Sequence, residues 1–372
     1  MSQESKINNV DIVVGLAWGD EAKGKITAQL AREDSYDFVC RWNGGHNAGH
    51  TVIVNGNKYN TNLIPSGVFY GVKSVIGPGC VVCPLNFRRE MKYLKDNGFD
   101  TSLVYVSPNA HIITESHIKQ DTKEYVDKQG STGKGIAPCY RDKYARVGIR
   151  VAEYSNFIVN SVGRRFSAES LESNGSTEFD SDDEECAKLL LKHIWDGNLY
   201  GDVLCEGAQG FWLDIDQGNY PFVTSSSTLP YSACSLGFPP QLIRKIYGAC
   251  KIYDTRVGED PDFPDELLED KELDKLGELG NEFGTTTGRR RKANWLNMRK
   301  LVDAINISGT THLIVSKVDV MSELGVFKVI KLNGEITEFG YFDELESYIG
   351  VTLNDECKLL KSVKYSRSPE SI

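Results

Sequence analysis

The feature that most constrains the fold is a short apolar segment that runs directly into a glycine-rich loop ending in lysine. Residues 11–16 (DIVVGL) are apolar and rich in β-branched side chains, which predicts a buried strand. Residues 19–25 have the spacing G-x-x-x-x-G-K, in which backbone N–H groups and a lysine surround phosphate oxygens. The following ITAQLARE predicts a helix whose N-terminal end also favours anions. This order of strand, loop and helix favours a phosphate site over a glycine turn without a ligand.

Two residues distinguish this loop from the usual phosphate-binding loop. Ile26 occupies the position after Lys25 that normally carries a serine or threonine hydroxyl. Asp20 lies inside the loop, and a carboxylate beside phosphates is unfavourable unless a metal ion or a proton transfer uses it. The sequence therefore indicates a relative of the phosphate-binding loop that carries an additional acidic group.

Further apolar segments at 102–106, 202–205 and 312–316 resemble the first strand, and helical stretches such as 185–197 lie between them. This alternation predicts an α/β fold with a mostly parallel central sheet flanked by helices, a P-loop-like nucleotide-binding fold with insertions. We expect residues 1–372 to form a single domain, with loop or helical insertions at about 110–200 and 255–295.

The charge balance bears on the class of partner. Lys and Arg number 42 against 52 Asp and Glu, which gives a net charge of −10 and argues against nucleic acid. A local basic cluster can still bind a small anion. No secretion signal or membrane-length apolar stretch is visible, and nine scattered cysteines suit a reducing compartment. We expect a cytoplasmic protein without a membrane partner.

Five further segments combine glycines with hydroxyl, amide or cationic side chains. They are 41–51 (RWNGGHNAGHT), 131–146 (STGKGIAPCYRDKYAR), 206–210 (EGAQG) with 220–227 (YPFVTSSS), 283–292 (FGTTTGRRRK) and 316–319 (SKVD). The second suits a monophosphate, and the arginines of 283–292 suit a carboxylate, which they can bind through two parallel hydrogen bonds. A Lys-x-Asp after a strand can read guanine, although the same three-residue pattern is common in proteins. A tight loop with capping side chains remains the alternative for 41–51.

Taken together, these segments and TRVG at 255–258 occur in the order typical of adenylosuccinate synthetases, and the chain resembles that family from Gly15 to about Asp319. The resemblance implies a C–N bond-forming ligase that joins L-aspartate to a 6-oxopurine nucleoside monophosphate. A nucleoside triphosphate, either GTP or ATP/dATP, would phosphorylate the 6-oxygen, and the aspartate amine would then displace the phosphate. Mg²⁺ is the implied cofactor.

The resemblance also implies a role for each matching residue. The implied catalytic residues are Asp20 as base, His50 as acid, Lys23 and Gln209. The implied triphosphate-binding residues are Gly19, Glu21, Ala22, Lys23, Gly24, Lys25, Gly49, His50, Thr51, Lys317 and Asp319. The implied acceptor-nucleotide residues are Asn47, Ser131, Thr132, Arg146, Gln209, Thr224, Val257 and Arg289. The implied aspartate-binding residues are Thr285, Thr286, Thr287, Arg289 and Arg291. Asp20 and Gly49 would bind Mg²⁺. Arg146 would reach the site of a second subunit, which implies a homodimer.

Several departures from the family pattern are similar to its short viral branch, which makes a 2-aminodeoxyadenylosuccinate from dGMP. They are the shorter chain, Ser131, Ser227 and the segment 236–248. Ala22, where the family usually has glycine, is a further departure, whereas Asp20 is kept although the viral branch often replaces it. These features favour dGMP as acceptor and the cytoplasm of a host cell as location. Adenylosuccinate synthesis from IMP with GTP, in AMP biosynthesis, is the alternative, and a non-ligating nucleotide-binding regulatory module is a remote one.

Overall fold

The computed structural model describes residues 6–126, 131–161, 181–284 and 288–368. Its strands are β1 (Ile7–Gly15), β2 (Phe38–Arg41), β3 (His50–Val54), β4 (Asn57–Thr61), β5 (Lys73–Ile76), β6 (Val81–Val82), β7 (Val104–Val106), β8 (His111–Ile112), β9 (Gly201–Glu206), β10 (Ile243–Lys251), β11 (Tyr253–Arg256), β12 (Lys292–Asn297), β13 (His312–Ser316), β14 (Phe327–Ile330), β15 (Ile336–Phe339) and β16 (Ser362–Tyr365). Its α-helices are α1 (Lys23–Glu33), α2 (Pro84–Asp96), α3 (Glu115–Glu124), α4 (Ile136–Ala145), α5 (Val151–Ser161), α6 (Ser181–Lys192), α7 (Lys271–Leu279), α8 (Met298–Ser308), α9 (Val318–Leu324) and α10 (Phe342–Glu356).

Within these ranges, eight strands form a parallel sheet in the order β16-β13-β10-β1-β9-β2-β5-β7. A smaller mixed sheet has the order β11-β12-β14-β15, and β3 and β4 form an antiparallel pair. The predicted α/β class with a mostly parallel central sheet is confirmed. The helices pack on the sheet because parallel strands leave both faces apolar.

Strand β1 occupies the middle of the sheet, and its residues from Val10 to Gly15 are fully buried. Asp11 is the charged residue within this buried segment. Its carboxylate accepts hydrogen bonds from Arg244 at 2.6 Å and Tyr36 at 2.7 Å. A buried carboxylate needs such partners, because without them its desolvation would destabilise the fold.

The prediction of a helix at 185–197 is wrong at both ends. Helix α6 covers Ser181–Lys192, and the chain after it becomes extended. There the backbone of Val106 at the end of β7 exchanges hydrogen bonds with His193 and Trp195, each 2.8 Å long. Pairing with the sheet edge satisfies these backbone groups, and it ends the helix earlier than the apolar pattern indicates. The predicted strand at 102–106 is likewise shortened to β7, since residues 101–103 form a 3₁₀ turn.

The parallel sheet places the glycine-rich and polar segments identified in the sequence at one edge. The segments that begin at Leu16, Trp42, Gly207, Ile252 and Lys317 directly follow strands β1, β2, β9, β10 and β13. These five strands are contiguous in the sheet and parallel, so their carboxyl ends share one edge. Ligands of open α/β sheets bind outside this edge.

Candidate functional site

A cavity of about 830 Å³ opens at the carboxyl edge of the parallel sheet. This volume suits a ligand of nucleotide size or larger. Its wall includes these residues that the sequence singled out: Gly19, Asp20, Ala22, Lys23, Gly24, Lys25, Asn47, Gly49, His50, Thr51, Ser131, Thr132, Gln209, Thr224, Val257, Arg289, Arg291, Lys317 and Asp319. Residues as far as 300 positions apart in sequence, Gly19 and Asp319, therefore meet in one site.

The loop after β1 is held by Glu21, whose carboxylate lies behind the loop and is 1% exposed. It accepts hydrogen bonds from the backbone N–H groups of Ala17 at 3.2 Å and Gly19 at 2.7 Å, and from Lys23 Nζ at 2.5 Å. The sequence suggested Glu21 as a triphosphate contact, but the structure places its side chain outside the cavity wall, where it shapes the loop. Gly24 lets β3 approach closely, because a Cβ there would lie 2.5 Å from the Cβ of His50.

Ala22 adopts a left-handed backbone conformation, with φ of 70°, at the start of α1. This conformation is unfavourable for a residue with a Cβ, by about 1–2 kcal/mol, and glycine avoids that cost. We expect Ala22→Gly to raise the free energy of unfolding by about 0.5–1 kcal/mol, after the greater freedom of glycine in the unfolded chain is subtracted. Denaturant unfolding checks this. The matched control is Ala28→Gly in the middle of α1, which should lower the free energy of unfolding by about 1 kcal/mol. A loss of stability in Ala22→Gly would contradict the expected relief of strain.

His50 begins β3 and is paired with Glu206 at the end of β9. Its Nδ1 lies 2.5 Å from Oε1 of Glu206, which is fully buried and also accepts hydrogen bonds from the backbone and hydroxyl of Ser66. Burial would raise the pKa of Glu206, but His50, Arg41 and Ser66 lower it to about 2. Burial also lowers the pKa of His50, an effect only partly offset by Glu206. An ionised Glu206 makes Nδ1 the donor, which leaves Nε2 for a ligand.

Asp20 lies within a four-residue charge network on the cavity wall. Its Oδ2 is 2.6 Å from Arg291 Nη1 and 3.2 Å from Lys251 Nζ, and its side chain is 37% exposed. Both cations also contact Glu282, at 2.6 Å and 2.8 Å respectively. The predicted base and the predicted aspartate-binding arginine are thus in direct contact.

A second corner of the cavity contains Lys25, Lys317 and Asp319. Lys25 Nζ donates to Ser366 Oγ and to the carbonyl of Ser368, both at 2.7 Å, and burial lowers its pKa to about 8. Lys317 donates to the carbonyl of Gly280 at 2.8 Å, and burial lowers its pKa as well. The lysine of the G-x-x-x-x-G-K pattern therefore contacts the segment after β16.

Ser131 and Arg289 meet across the opposite wall, where Arg289 Nη2 donates to the Ser131 carbonyl at 3.1 Å. The buried carboxylate of Asp121 accepts from Ser131 Oγ at 2.6 Å and from the backbone N–H of Gly135 at 2.7 Å, which orders this loop. Gln209 has a φ of 59°, and its Oε1 is buried without a hydrogen-bond partner in the described ranges. Such an unsatisfied acceptor at a cavity indicates a ligand contact.

Some sequence candidates lie elsewhere. Arg146 is exposed at the carboxyl end of α4 and does not line the cavity of its own chain. Thr285, Thr286 and Thr287 lie outside the described residues. The sequence interpretation missed Lys251, Glu282 and the roles of Glu206 and Asp121 as partners. A charged residue at the carboxyl end of a buried strand, as at Glu206 and Lys251, is the signal that points to them.

Comparisons with known proteins match this arrangement. The sequence profile described as adenylosuccinate synthetase matches residues 12–342. The adenylosuccinate synthetase of Parabacteroides distasonis is 41% identical over 358 residues, covering 89% of this chain and 84% of that protein. That of Brevibacillus brevis is 39% identical over 354 residues, with 88% and 82% covered. The chain belongs to the adenylosuccinate synthetase family. It is accordingly a C–N bond-forming ligase.

Two solved structures share the fold of this family member. The fully ligated adenylosuccinate synthetase from Plasmodium falciparum has a TM-score of 0.78 at 30% identity, with 97% of this chain and 98% of that chain covered. The cyanophage S-2L succinoaminodeoxyadenylate synthetase, bound to dGMP and dATP, has a TM-score of 0.65 at 18% identity, with 98% and 94% covered. The second likeness shows the fold alone. The expected resemblance to the viral branch is therefore not specifically supported.

Across the described ranges, every helix is too short or too polar to span a membrane.

Proposed function

We propose that this protein is an adenylosuccinate synthetase proper, which joins IMP and L-aspartate with GTP to give adenylosuccinate, GDP and phosphate. The observation that carries the ligase chemistry of this proposal is the 2.6 Å contact between Asp20 and Arg291 on the wall of a nucleotide-sized cavity. The Asp20 carboxylate suits proton removal from the acceptor, and the Arg291 guanidinium suits binding of a substrate carboxylate. The groups needed to activate the acceptor and to bind the amino acid therefore lie within a few ångströms of each other.

The comparisons favour IMP over dGMP, the acceptor that the sequence first suggested. The bacterial relatives at 39–41% identity are named adenylosuccinate synthetases, whereas the phage protein whose structure has dGMP bound is only 18% identical. Asp20 is present as a carboxylate, which is compatible with either acceptor because both carry the same 6-carbonyl. We therefore interpret Ala22, Ser131 and Ser227 as changes that leave the acceptor unaltered.

In the first step, Asp20 accepts the proton from the purine ring nitrogen beside the 6-carbonyl. The 6-oxygen becomes nucleophilic and attacks the γ-phosphorus of GTP, and GDP leaves. His50 lines the same cavity, and its Nε2 is available to contact a bound ligand. Negative charge on a bound triphosphate raises the proton affinity of the ring, so Nε2 donates to a phosphoryl or leaving diphosphate oxygen. Lys23 and the loop N–H groups bind phosphoryl oxygens, and Gln209 contacts the acceptor base.

Oxygen donors on this wall suit Mg²⁺. Asp20 offers a carboxylate and Gly49 a backbone carbonyl, and both residues line the same cavity. No cluster of three or more His, Cys, Asp or Glu side chains that could hold a metal occurs in the described ranges, so the remaining ligands would be phosphate oxygens and water. When bound, the ion would neutralise charge on the phosphoryl oxygens.

In the second step, the amine of L-aspartate attacks C6 and the phosphorylated oxygen leaves as inorganic phosphate. Arg291 and Arg289 bind the aspartate carboxylates, together with Thr285, Thr286 and Thr287. Ser131, Thr132, Asn47, Thr224 and Val257 surround the acceptor nucleotide. Lys317 and Asp319 read the guanine of GTP, since a carboxylate accepts from its ring N–H and amino groups. The contact of Lys25 with the segment after β16 supports a base-binding corner there.

A substrate matrix tests this assignment. Purified protein is supplied with IMP, GMP or dGMP against GTP, ATP or dATP, with saturating aspartate and Mg²⁺, and kcat/KM is measured for each pair. The largest value is expected for IMP with GTP. A larger kcat/KM for dGMP would contradict the proposed acceptor, and phosphate release independent of aspartate would contradict ligation.

We also propose that the active form is a homodimer in which Arg146 binds the acceptor phosphate of the neighbouring site. Arg146 lies between Tyr144 and Val147, which are 71% and 70% exposed. Large exposed apolar side chains around a cation are typical of a contact surface.

Complementation checks the shared site. Arg146→Leu and Asp20→Asn chains should each be nearly inactive alone. After equal mixing with subunit exchange, about half of the dimers are mixed and one of their two sites has both intact residues, so about a quarter of wild-type activity should return. Activity no greater than the mean of the two parents, with exchange demonstrated by mass spectrometry, would show that each site uses a single chain.

A further inference from the structure

Lys251 ends strand β10, is 3% exposed and lines the same cavity as Asp20 and Arg291. Its ammonium group makes three contacts: Asp20 Oδ2 at 3.2 Å, Thr255 Oγ1 at 2.9 Å and Glu282 Oε2 at 2.8 Å. Three oxygens fill the donor capacity of an ammonium group, so Lys251 holds a fixed position. Nothing in the proposed chemistry yet uses this residue.

Glu282 is the other buried member, and it is 1% exposed. Its Oε2 accepts from Lys251 and, at 2.6 Å, from Arg291, while its Oε1 accepts from the hydroxyl of Tyr253 at 2.7 Å. Burial would raise the pKa of Glu282, but Lys251, Arg291 and Lys317 lower it to about 2. The carboxylate is therefore ionised and fully hydrogen-bonded.

The network balances two cations against two carboxylates. Lys251 contacts Asp20, Glu282 contacts Arg291, and Lys251 and Glu282 contact each other. The two residues placed in the chemistry are thus joined through two buried residues on different elements, one at the end of β10 and one before the 283–292 segment. Because desolvation offsets most of the attraction within a buried ion pair, a gain in stability does not by itself explain this network.

We propose that Lys251 and Glu282 are positioning residues that fix Asp20 relative to Arg291, and therefore the proton-accepting group relative to the bound aspartate. The assignment rests on the proposed function, because Asp20 and Arg291 take their roles from it. Lys251 keeps the Asp20 carboxylate directed at the acceptor, and Glu282 keeps the Arg291 guanidinium directed at the substrate carboxylate. A pair that only stabilised the fold would leave the kinetic constants of the folded enzyme unchanged.

Kinetics of Lys251→Met and Glu282→Gln separate these possibilities. Lys251→Met should lower kcat by about 100-fold, the effect of misplacing a catalytic group by about 1 Å, with the aspartate KM changed less than about threefold. Glu282→Gln should raise the aspartate KM by about tenfold or more, because Arg291 loses a charged hydrogen-bond partner. Lys251→Arg and Glu282→Asp should each recover part of the loss. Each assay uses the acceptor that the wild-type enzyme prefers.

A double variant and a matched control complete the kinetic test. The combined Lys251→Met, Glu282→Gln variant should be less impaired than the product of the two single effects, because each single variant already breaks the same unit. Lys300→Met is the control. Lys300 is a partly buried lysine that contacts Asp262 at 2.8 Å away from the cavity, so its loss should lower the unfolding temperature without changing kcat or KM. Equal kinetic constants in Lys251→Met and wild type would overturn the proposal.

Crystal structures of wild type and Lys251→Met give a readout that does not depend on the reaction assigned. The Asp20 carboxylate should move by about 1 Å or more relative to Arg291 in the variant. An unchanged position would overturn the positioning role, even if the substrate matrix confirms the ligase. Conversely, a displaced Asp20 in an enzyme that does not use IMP would contradict only the proposed acceptor.

Discussion

Asp20→Asn is expected to lower kcat for adenylosuccinate formation by about 10²–10⁴, the usual cost of removing a general base. Asparagine has nearly the same shape but does not accept the ring proton. The dissociation constants for IMP and GTP, measured by calorimetry, should change by only a few fold, because the phosphate-binding N–H groups of the loop remain. Steady-state phosphate release at saturating Mg²⁺ measures the loss.

The control for this variant is Asp34→Asn, an exposed carboxylate that follows α1 and does not line the cavity. It should retain wild-type kcat. Near wild-type turnover in Asp20→Asn would remove this carboxylate from the proton transfer.

His50→Gln is expected to lower kcat by about 10²–10⁴ as well, since a positioned proton donor contributes this much. The imidazole of His50 is hydrogen-bonded through Nδ1 to the ionised Glu206. This hydrogen bond fixes the orientation of the ring and therefore the position of Nε2. The KM for aspartate should change little, because His50 contacts neither Arg289 nor Arg291, the two arginines proposed to bind aspartate. Single-turnover measurement of GTP cleavage locates the loss in the first step.

His312→Gln serves as the control, because His312 lies in β13 and does not line the cavity. The unfolding temperatures of both variants are also compared. A lower value for His50→Gln would show that Glu206 destabilises the fold when Ser66 is its remaining hydrogen-bond donor. A folded His50→Gln enzyme with an unchanged rate of GTP cleavage would contradict the proposed proton donor.

The class of fold and the place where the candidate residues meet could be predicted from sequence because the patterns that specify them are local. An apolar β-branched run followed by glycines and lysine specifies strand, loop and helix within about 20 residues, and β1 and α1 follow that pattern. Because parallel strands direct their carboxyl ends to one edge, motifs distant in sequence then meet there.

Partnerships between distant side chains could not be predicted in this way. Lys251 and Glu282 are 31 positions apart, and neither has a local pattern that indicates the other. The Lys25 contact with Ser366 joins residues 341 positions apart. Such contacts depend on tertiary packing, and the spacing of a motif does not determine which side of a loop each side chain faces. Glu21 illustrates this, since it lies in the loop motif but faces the interior.

The acceptor nucleotide shows a different limit. Ser131 and Ser227 suggested the viral branch, yet both hydroxyls bond to buried carboxylates of their own protein, Ser131 to Asp121 at 2.6 Å and Ser227 to Asp214 at 3.1 Å. A side chain that serves the fold carries little information about the substrate. The proposal of IMP rests instead on the 41% identity to a bacterial adenylosuccinate synthetase.

The central claim is that the 6-oxygen of the acceptor leaves as part of inorganic phosphate, and oxygen labelling tests it directly. IMP carrying ¹⁸O at the 6-position is converted with GTP, L-aspartate and Mg²⁺ in unlabelled water, and the phosphate is analysed by mass spectrometry. The account predicts that nearly every phosphate formed contains one ¹⁸O atom and that the succinylated product contains none from this position. Unlabelled phosphate, with the label released into water or kept in the nucleotide, would contradict the 6-phosphoryl mechanism.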